Sequence, residues 1–116
     1  MLVRLLYASR AVDLQPATIE SILQRSRDHN PASGITGVLC YGSGVFMQVL
    51  EGGRATVSDL YGHIVSDARH KDVVLLHFEE ITERRFGGWT MGEVNMNRIN
   101  ASILMKYGEK IGRAHV

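Results

Sequence analysis

The sequence predicts an α+β fold, a ferredoxin-like sandwich whose elements follow the order βαββαββ and are followed by a short helix. Two observations predict it. Five short apolar stretches are interrupted by two helical stretches within 116 residues, a length that suits one domain with a core and is too short for two. In addition, Gly42-Ser43-Gly44 joins two neighbouring apolar stretches as a hairpin, so the sheet is not purely parallel. Strands that mix with helices and a hairpin in this way are typical of α+β sandwiches.

The first strand and the first helix have clear sequence signals. Residues 2–9 are short and apolar, which predicts a buried strand. Pro16 suits the first turn of a helix, where a missing N–H costs nothing. Asn30-Pro31 predicts the end of that helix, because proline disfavours helical conformation in the residue before it. The apolar stripe of this amphipathic helix follows the i, i+3, i+4, i+7 pattern and consists of Ile19, Ile22, Leu23 and Ser26.

The later elements are predicted by the same patterns. Residues 35–41 and 45–51 form the hairpin strands, and residues 73–81 and 89–94 are predicted to be the fourth and fifth strands. The second helix is predicted from a buried stripe of Val57, Leu60, Tyr61, Ile64 and Ala68. A short final helix is indicated by Ile99, Ile103, Leu104 and Tyr107.

The third strand is apolar on both sides. Phe46, Gln48 and Leu50 point one way, and Met47 and Val49 point the other. Two helices are expected to cover one face of the sheet. Because the second face is apolar as well, we expect a homo-oligomer such as a dimer. The domain therefore spans residues 1–96, and residues 97–116 are predicted to be a helical extension that packs on the other sheet face or on a partner.

Composition narrows the class of protein. The net charge is +1, and the basic residues are scattered, so a nucleic-acid-binding surface is not expected. Cys40 is the single cysteine, which rules out an intramolecular disulfide and fits a reducing compartment. No apolar run approaches the roughly 20 residues that span a bilayer, and the N-terminus lacks the features of a signal peptide. We expect a cytoplasmic protein that does not bind membranes.

Signals for conventional catalysis are weak. The five histidines show no metal-ligand spacing with Cys40 or with carboxylates. The chain has neither a phosphate-binding loop nor a nucleophile elbow. The charged cluster Asp67-Ala68-Arg69-His70, taken alone, looks like a solvated helix end. The sequence therefore predicts no metal site and no enzyme.

Gln48 is the most informative residue, because an amide sits in the middle of an apolar strand. Burying an amide without partners costs about 1–3 kcal/mol, so it either faces water on an edge strand or meets a partner. Tyr7 shares a strand face with Val3 and Leu5, and a buried tyrosine needs a partner for its hydroxyl. In ferredoxin-like topology the first and third strands are neighbours, which would place Tyr7 beside Gln48.

The stripe of the first helix becomes polar toward its end. The next positions on the face of Ser26 are His29 and Asn30, which form either a C-terminal cap or a polar end turned toward the sheet. Together with Ser26 and Asn30, Tyr7 and Gln48 would surround an apolar slot that suits a flat heteroaromatic ligand with polar edges. A buried network of protein groups alone would satisfy them as well.

Several segments together resemble the BLUF domains, blue-light sensors that bind a flavin, usually FAD. The resemblance covers nearly the whole chain, from residue 5 to about residue 94. The segments that carry it are Leu6-Tyr7-Ala8-Ser9, Asn30 with Gly34-Ile35-Thr36-Gly37-Val38-Leu39, Phe46-Met47-Gln48-Val49-Leu50-Glu51-Gly52, Asp67-Ala68-Arg69-His70, and Arg85-Phe86 followed by Trp89-Thr90-Met91.

The resemblance implies a role for each matching residue. Tyr7 would donate an electron, coupled to a proton, to the photoexcited flavin, and Gln48 would bridge Tyr7 and the flavin. Asn30 would hold the ring near its carbonyl edge, while Ile22 and Ile64 would enclose the ring between the helices. Lesser contacts to the ring or its tail are expected from Ser26, His29, Asp67 and Arg69.

Trp89 and Met91 would lie on the fifth strand and relay the state of Gln48 outward. They are two residues apart, so both would leave the strand on one face, and either could contact the glutamine. After light, rotation or tautomerisation of the Gln48 amide would rearrange the hydrogen bonds and shift the flavin absorption to longer wavelength. FAD is the expected cofactor, with FMN as the alternative.

Many members of this family continue into an effector, whereas this chain ends at Val116. The output is therefore expected in trans, through a separate downstream protein or through self-association. Two other functions stay open. One is a colourless ligand-binding or dimerisation module, and the other is a small acylphosphatase-like enzyme. The latter requires an anion-binding loop after the first strand, and residues 9–13 lack the glycines for it.

Overall fold

The computed structural model describes residues 1–96. Its elements are β1 (Leu2–Ala11), α1 (Pro16–Ser33), β2 (Thr36–Gly42), β3 (Val45–Gly53), α2 (Arg54–Val65), β4 (His70–Ile81) and β5 (Gly92–Asn95). The predicted order βαββαββ is confirmed. The predicted final helix and the extension 97–116 lie outside the described residues. Across residues 1–96, neither helix combines the length and the hydropathy that a membrane crossing requires.

The strands form one five-stranded sheet in the order β4-β1-β3-β2-β5. All neighbours are antiparallel except β2 and β5, which run parallel. β1 and β3 pair in a register that sets Tyr7 directly opposite Gln48. The prediction that these two residues are neighbours is therefore confirmed, and the arrangement is that of an α+β ferredoxin-like fold.

The core lies between the sheet and the two helices. Alternate residues of β1 are buried, as expected for a strand with one face in the core. The main buried apolar side chains of this layer are Val3, Leu5, Leu39, Phe46 and Leu50 from the sheet and Ile19, Ile22, Leu23 and Val57 from the helices. On the opposite sheet face, Val38 and Met47 are buried as well, so both faces of the central strands are apolar.

The β2–β3 hairpin is closed by Ser43 and Gly44, both of which have positive φ (52° and 76°). Two central residues with positive φ match the twist of the flanking strands, and this is the turn preferred in two-residue hairpins. The hairpin predicted from Gly42-Ser43-Gly44 is confirmed.

The predicted end of α1 at Asn30 was wrong, because the helix continues to Ser33. Gly34 adopts the left-handed conformation (φ 73°) and its N–H donates to the carbonyl of Asn30. The N–H of Ile35 donates to the same oxygen at 3.1 Å. This glycine cap provides donors for a carbonyl in the last turn of α1. Its stabilisation outweighs the tendency of Pro31 to keep the preceding residue out of the helical conformation.

The predicted stripe of α2 was wrong at its last member, because α2 ends at Val65 and Ala68 is exposed. Beyond the helix, the backbone N–H of Asp67 donates to the carbonyl of Ile64 at 3.1 Å, and the Asp67 carboxylate accepts from the N–H of Arg69 at 2.8 Å. A short acidic side chain that bonds to nearby backbone in this way favours a turn over a further helical turn.

Gly37 is required where β2 meets β3. A Cβ on Gly37 would overlap the backbone carbonyl of Val49. We therefore expect Gly37→Ala to lower the free energy of unfolding by about 1–3 kcal/mol, as overpacking does in other cores, and urea denaturation measures this. The control is Gly62→Ala within α2, where a Cβ meets nothing within 4 Å and alanine favours the helix. A Gly37→Ala protein as stable as the wild type would contradict the close approach of these strands.

Candidate functional site

Tyr7, Gln48 and Met91 form a buried chain of contacts. The hydroxyl of Tyr7 donates to Gln48 Oε1 at 2.6 Å, and Gln48 Nε2 donates to the sulfur of Met91 at 3.3 Å. Gln48 is only 4% exposed and lies on β3, which has β1 and β2 as neighbours. The interpretation of Gln48 as a solvent-facing edge residue is excluded, and its amide has distinct donor and acceptor partners.

Tyr7 lies in a tight aromatic environment. Its ring centre is 5.8 Å from that of Tyr61 and 5.9 Å from that of His70. Burial, with a further contribution from the charge of Asp67, raises the pKa of Tyr7 well above its usual value. Tyr7 therefore keeps its proton at neutral pH and acts as the donor to Gln48.

A cavity of about 370 Å³ opens beside Gln48 between α1 and α2. Ile22 on α1 and Ile64 on α2 supply apolar walls, and Gln48 and Asn30 supply polar edges. Its lining includes every predicted cofactor-binding residue except Tyr7, which lies behind Gln48: Ile22, Ser26, His29, Asn30, Gln48, Ile64, Asp67 and Arg69. Apolar walls with a few convergent polar groups are typical of small-molecule sites, and the donor set fits a flavin ring. We call this cavity the interhelical slot.

At the polar end of α1, Asn30 turns inward as predicted, whereas His29 is exposed. Asn30 is 3% exposed, and its Nδ2 donates to the carbonyl of Thr90 at 2.8 Å. Ser26 donates to the carbonyl of Ile22 within the helix. Asn30 is thus a buried side chain between the slot and the segment before β5, and its backbone carbonyl also accepts the helix cap.

Several further residues of the slot were not predicted from the sequence. Arg25, His63 and His70 line it as well. His70 is buried, its Nδ1 is 2.8 Å from the hydroxyl of Ser9, and burial lowers its pKa. Arg25 lies four residues before His29 on the same helix face, which is a signal that could have identified it.

Asp67 and Arg69 form an ion pair at the slot. Arg69 Nη2 lies 2.6 Å from Asp67 Oδ2, and the side chains are only 27% and 23% exposed for Arg69 and Asp67. The interpretation of this cluster as a solvated helix end was therefore wrong. Hydrogen bonding from Arg69 lowers the pKa of Asp67 from 3.8 to about 2.

This shift predicts a pH-dependent contribution to stability. Because the folded-state pKa of Asp67 is below the unfolded one, its contribution is present above about pH 4 and is lost as the pH falls toward about 2. Asp67→Asn should therefore be less stable than the wild type at pH 6, and the difference should shrink as the pH falls through this window. Urea denaturation at a series of pH values measures it. If the difference in free energy of unfolding between the two proteins stayed constant from pH 6 to pH 2, the lowered pKa of Asp67 would be refuted.

Trp89 and Met91 do not lie on the fifth strand, so that prediction was wrong. β5 begins at Gly92, and the N–H of Trp89 donates to the carbonyl of Phe86 in a turn. The indole packs beside the ring of Phe86 at 5.5 Å and is 48% exposed, whereas Met91 is 3% exposed. Met91 is therefore the member of the pair that contacts Gln48.

Glu51 fixes the loop that leads to Met91, a role that was not predicted from the sequence. Its side chain is fully buried on β3 and lies opposite Arg4, whose Nε donates to it at 2.8 Å. The backbone N–H groups of Arg85 and Phe86 donate to the same carboxylate at 3.0 and 2.7 Å. Arg4 within an otherwise apolar strand was the signal for a buried carboxylate on its neighbour.

Within residues 1–96, no cluster of three or more histidine, cysteine or carboxylate side chains is arranged to hold a metal ion. Cys40 is half-buried in β2, and burial raises the pKa of its thiol. The polar groups of the site are instead arranged around the slot.

Comparison with known proteins identifies the family. The family model of the sensors of blue-light using FAD matches residues 2–92. The photoactivated adenylate cyclase subunit alpha of Euglena gracilis is 41% identical over 87 residues, which are 74% of this chain and 8% of that protein. The chain thus spans about a tenth of the length of its curated relatives of this kind.

Two solved structures are close to this fold. The dark-state structure of BlrB, a BLUF protein, has a TM-score of 0.84 at 38% identity, covering 91% of this chain and 83% of that one. BlrP1 of Klebsiella pneumoniae, solved with FMN and cyclic diGMP, has a TM-score of 0.80 at 34% identity, covering 97% of this chain and 30% of that one. The chain therefore belongs to the BLUF family, the sensors of blue light that use a flavin.

Proposed function

We propose that this chain is a blue-light photoreceptor that holds a flavin in the interhelical slot and signals through its Tyr7–Gln48–Met91 chain. The observation that carries the proposal is the position of Gln48. Its amide lines the slot, accepts from Tyr7 and donates to Met91. One side chain thus touches the ligand cavity, a redox-active phenol and the segment that precedes β5.

A bound flavin supplies an electron acceptor that becomes strongly oxidising when it absorbs blue light. Tyr7 is then the electron donor, and its phenolic proton leaves along the 2.6 Å hydrogen bond toward Gln48 Oε1. The electron and the proton later return to Tyr7, so no product is released. Rotation or tautomerisation of the Gln48 amide leaves a changed set of donors toward the slot, which shifts the absorption to longer wavelength.

The same rearrangement carries the signal outward. The Gln48 amide donates to the Met91 sulfur through Nε2, so a rotated or tautomeric amide presents a different group to Met91. Met91 directly precedes β5. A change in that contact therefore acts on β5 at the edge of the sheet. A small shift in the populations of two conformations there alters the surface that a partner binds.

FAD is the proposed cofactor, with FMN as the alternative. The cationic side chains of Arg25 and Arg69 lie on the slot and suit phosphate groups of a flavin tail. The two flavins are distinguished by extracting the ligand that copurifies with the protein and by titrating the flavin-free protein with each.

We propose further that the protein is not itself an enzyme and acts in the cytoplasm on a separate protein or on a second copy of itself. The relatives support an output outside this domain, since the match covers only 8% of a photoactivated adenylate cyclase subunit. Size-exclusion chromatography and a pull-down, each in darkness and under blue light, test the output. A colourless preparation that takes up no added flavin would instead favour the colourless ligand-binding or dimerisation module.

The proposed position of the flavin ring predicts how a substitution in the slot changes flavin binding. Ile64→Trp would fill the slot between α1 and α2, and we expect it to weaken flavin binding by about tenfold or more. Val65→Trp is the matched control, since Val65 is the next residue of α2 and is 52% exposed. Flavin titration followed by fluorescence measures both. Equal affinities for the two variants would show that the flavin does not lie in this slot.

A further inference from the structure

Two side chains of α1 hold the segment just before β5 by its backbone. Asn30 Nδ2 donates to the carbonyl of Thr90 at 2.8 Å. Arg27 donates to the next carbonyl, that of Met91, from Nε at 3.3 Å and from Nη2 at 3.2 Å. Arg27 and Asn30 are three residues apart and thus share a face of the helix. We call Arg27, Asn30 and the two carbonyls the α1 clamp.

The α1 clamp holds Met91 at the end opposite to its sulfur. Gln48 contacts the side chain of Met91, and Arg27 contacts its carbonyl. Arg27 forms no ion pair with a carboxylate among residues 1–96, so the Met91 carbonyl is the polar partner of its guanidinium there. A guanidinium presents several donors in a fixed plane, which suits two hydrogen bonds to one oxygen.

We propose that Arg27 is a positioning residue of the light response, which keeps Met91 against Gln48 in darkness and so shortens the lifetime of the lit state. The proposal rests on the proposed function. When Gln48 changes its donor, the sulfur contact of Met91 is weakened, and the bonds from Arg27 favour the return of the segment to its dark position.

The α1 clamp also reaches the surface. Arg27, Trp89, Met91 and Glu93 border a groove of about 610 Å³, and the Trp89 side chain is about half exposed beside it. A displacement of residues 90–91 therefore changes the shape of an exposed surface. Residues 90–91 thus connect the buried amide of Gln48 with the exposed indole of Trp89. Arg27 and Asn30 bond to the backbone of this connecting segment.

The test uses the full chain loaded with flavin. Arg27→Met keeps the apolar stem and removes both donors. We expect a light-induced red-shift of unchanged size and a dark recovery slowed roughly three- to tenfold, because a hydrogen bond from a charged donor contributes to the dark arrangement. Arg27→Lys should recover at an intermediate rate, since it restores a charged donor without the planar geometry. Gln24→Met is the control, because Gln24 lies on the same helix and its Nε2 donates to the exposed Asp28 and not to the α1 clamp.

A second measurement does not depend on light. Trp89 is the only tryptophan, so its indole N–H gives a single resonance in a ¹⁵N–¹H NMR spectrum recorded in darkness. Arg27→Met should shift or broaden this resonance, and Gln24→Met should not. A recovery rate of Arg27→Met equal to that of the wild type would overturn the proposal. If the wild type shows no red-shift at all, the proposed function fails, and the indole resonance alone decides whether Arg27 positions this segment.

Discussion

Replacing Tyr7 by Phe is expected to leave a protein that still binds flavin but shows no red-shift under blue light. The change removes the hydroxyl that donates to Gln48 Oε1 and keeps the ring that packs against Tyr61 and His70. Phenylalanine cannot release a proton with the electron, so the coupled transfer toward Gln48 is lost. The light-minus-dark absorption spectrum measures the loss, which should be complete.

Tyr7→Phe should also be less stable than the wild type. Gln48 Oε1 is buried, and an acceptor left without its donor costs about 1–3 kcal/mol. Tyr41→Phe is the control, because the Tyr41 hydroxyl bonds to the exposed Glu93 at 3.1 Å and Tyr41 does not line the slot. A normal red-shift in Tyr7→Phe would exclude Tyr7 as the electron donor.

Replacing Glu51 by Ala is expected to cause the largest loss of stability, about 3–5 kcal/mol, because it leaves buried polar groups without their partner. The carboxylate accepts from Arg4 and from the backbone N–H groups of Arg85 and Phe86, and the side chain is fully buried. Those two N–H groups lie a few residues before Met91, so the change should also loosen the contact with Gln48. Urea denaturation at neutral pH measures the stability.

Glu79 provides a matched control for Glu51. It bonds to the same Arg4 at 2.7 Å, but its side chain is 42% exposed. Exposed ion pairs contribute about 0–1 kcal/mol, so Glu79→Ala should be close to the wild type. If Glu51→Ala were equally close, the loop 84–91 would not depend on the buried carboxylate.

The element order, the β2–β3 hairpin and the place of Tyr7 beside Gln48 could be predicted from the sequence. Alternation of period two shows which residues of β1 and β3 share a face, and the tight Ser43-Gly44 turn makes β2 and β3 adjacent. The adjacency of β1 and β3 follows from the ferredoxin-like topology. With the topology in place, the position of Tyr7 beside an amide follows. The resemblance to a known family added the identity of the ligand, which periodicity does not supply.

The end of α1 could not be predicted from Pro31, because two local preferences compete there. Proline disfavours helix in Asn30, whereas Gly34 can take the left-handed conformation that caps a longer helix. The balance depends on the hydrogen bonds that the Asn30 carbonyl finds, including the one from Ile35 at the start of the next segment.

The choice between Trp89 and Met91 could not be predicted from their two-residue spacing. Residues two apart point the same way only in a regular strand, and residues 89–91 precede β5. Their directions follow from the turn at Phe86, from the buried carboxylate of Glu51 and from the α1 clamp, all of which are contacts between residues distant in sequence. Spacing along the chain carries little information about such contacts.

We expect the Gln48 amide to change its hydrogen bonds in response to light absorbed in the interhelical slot. The most direct test is the light-minus-dark absorption spectrum of the flavin-loaded wild type, recorded beside that of Gln48→Ala. A reversible shift to longer wavelength in the wild type, absent from Gln48→Ala, is the predicted result. A flavin-loaded wild type without a shift, or a Gln48→Ala protein with the same shift, would contradict a light-driven change in the hydrogen bonds of Gln48.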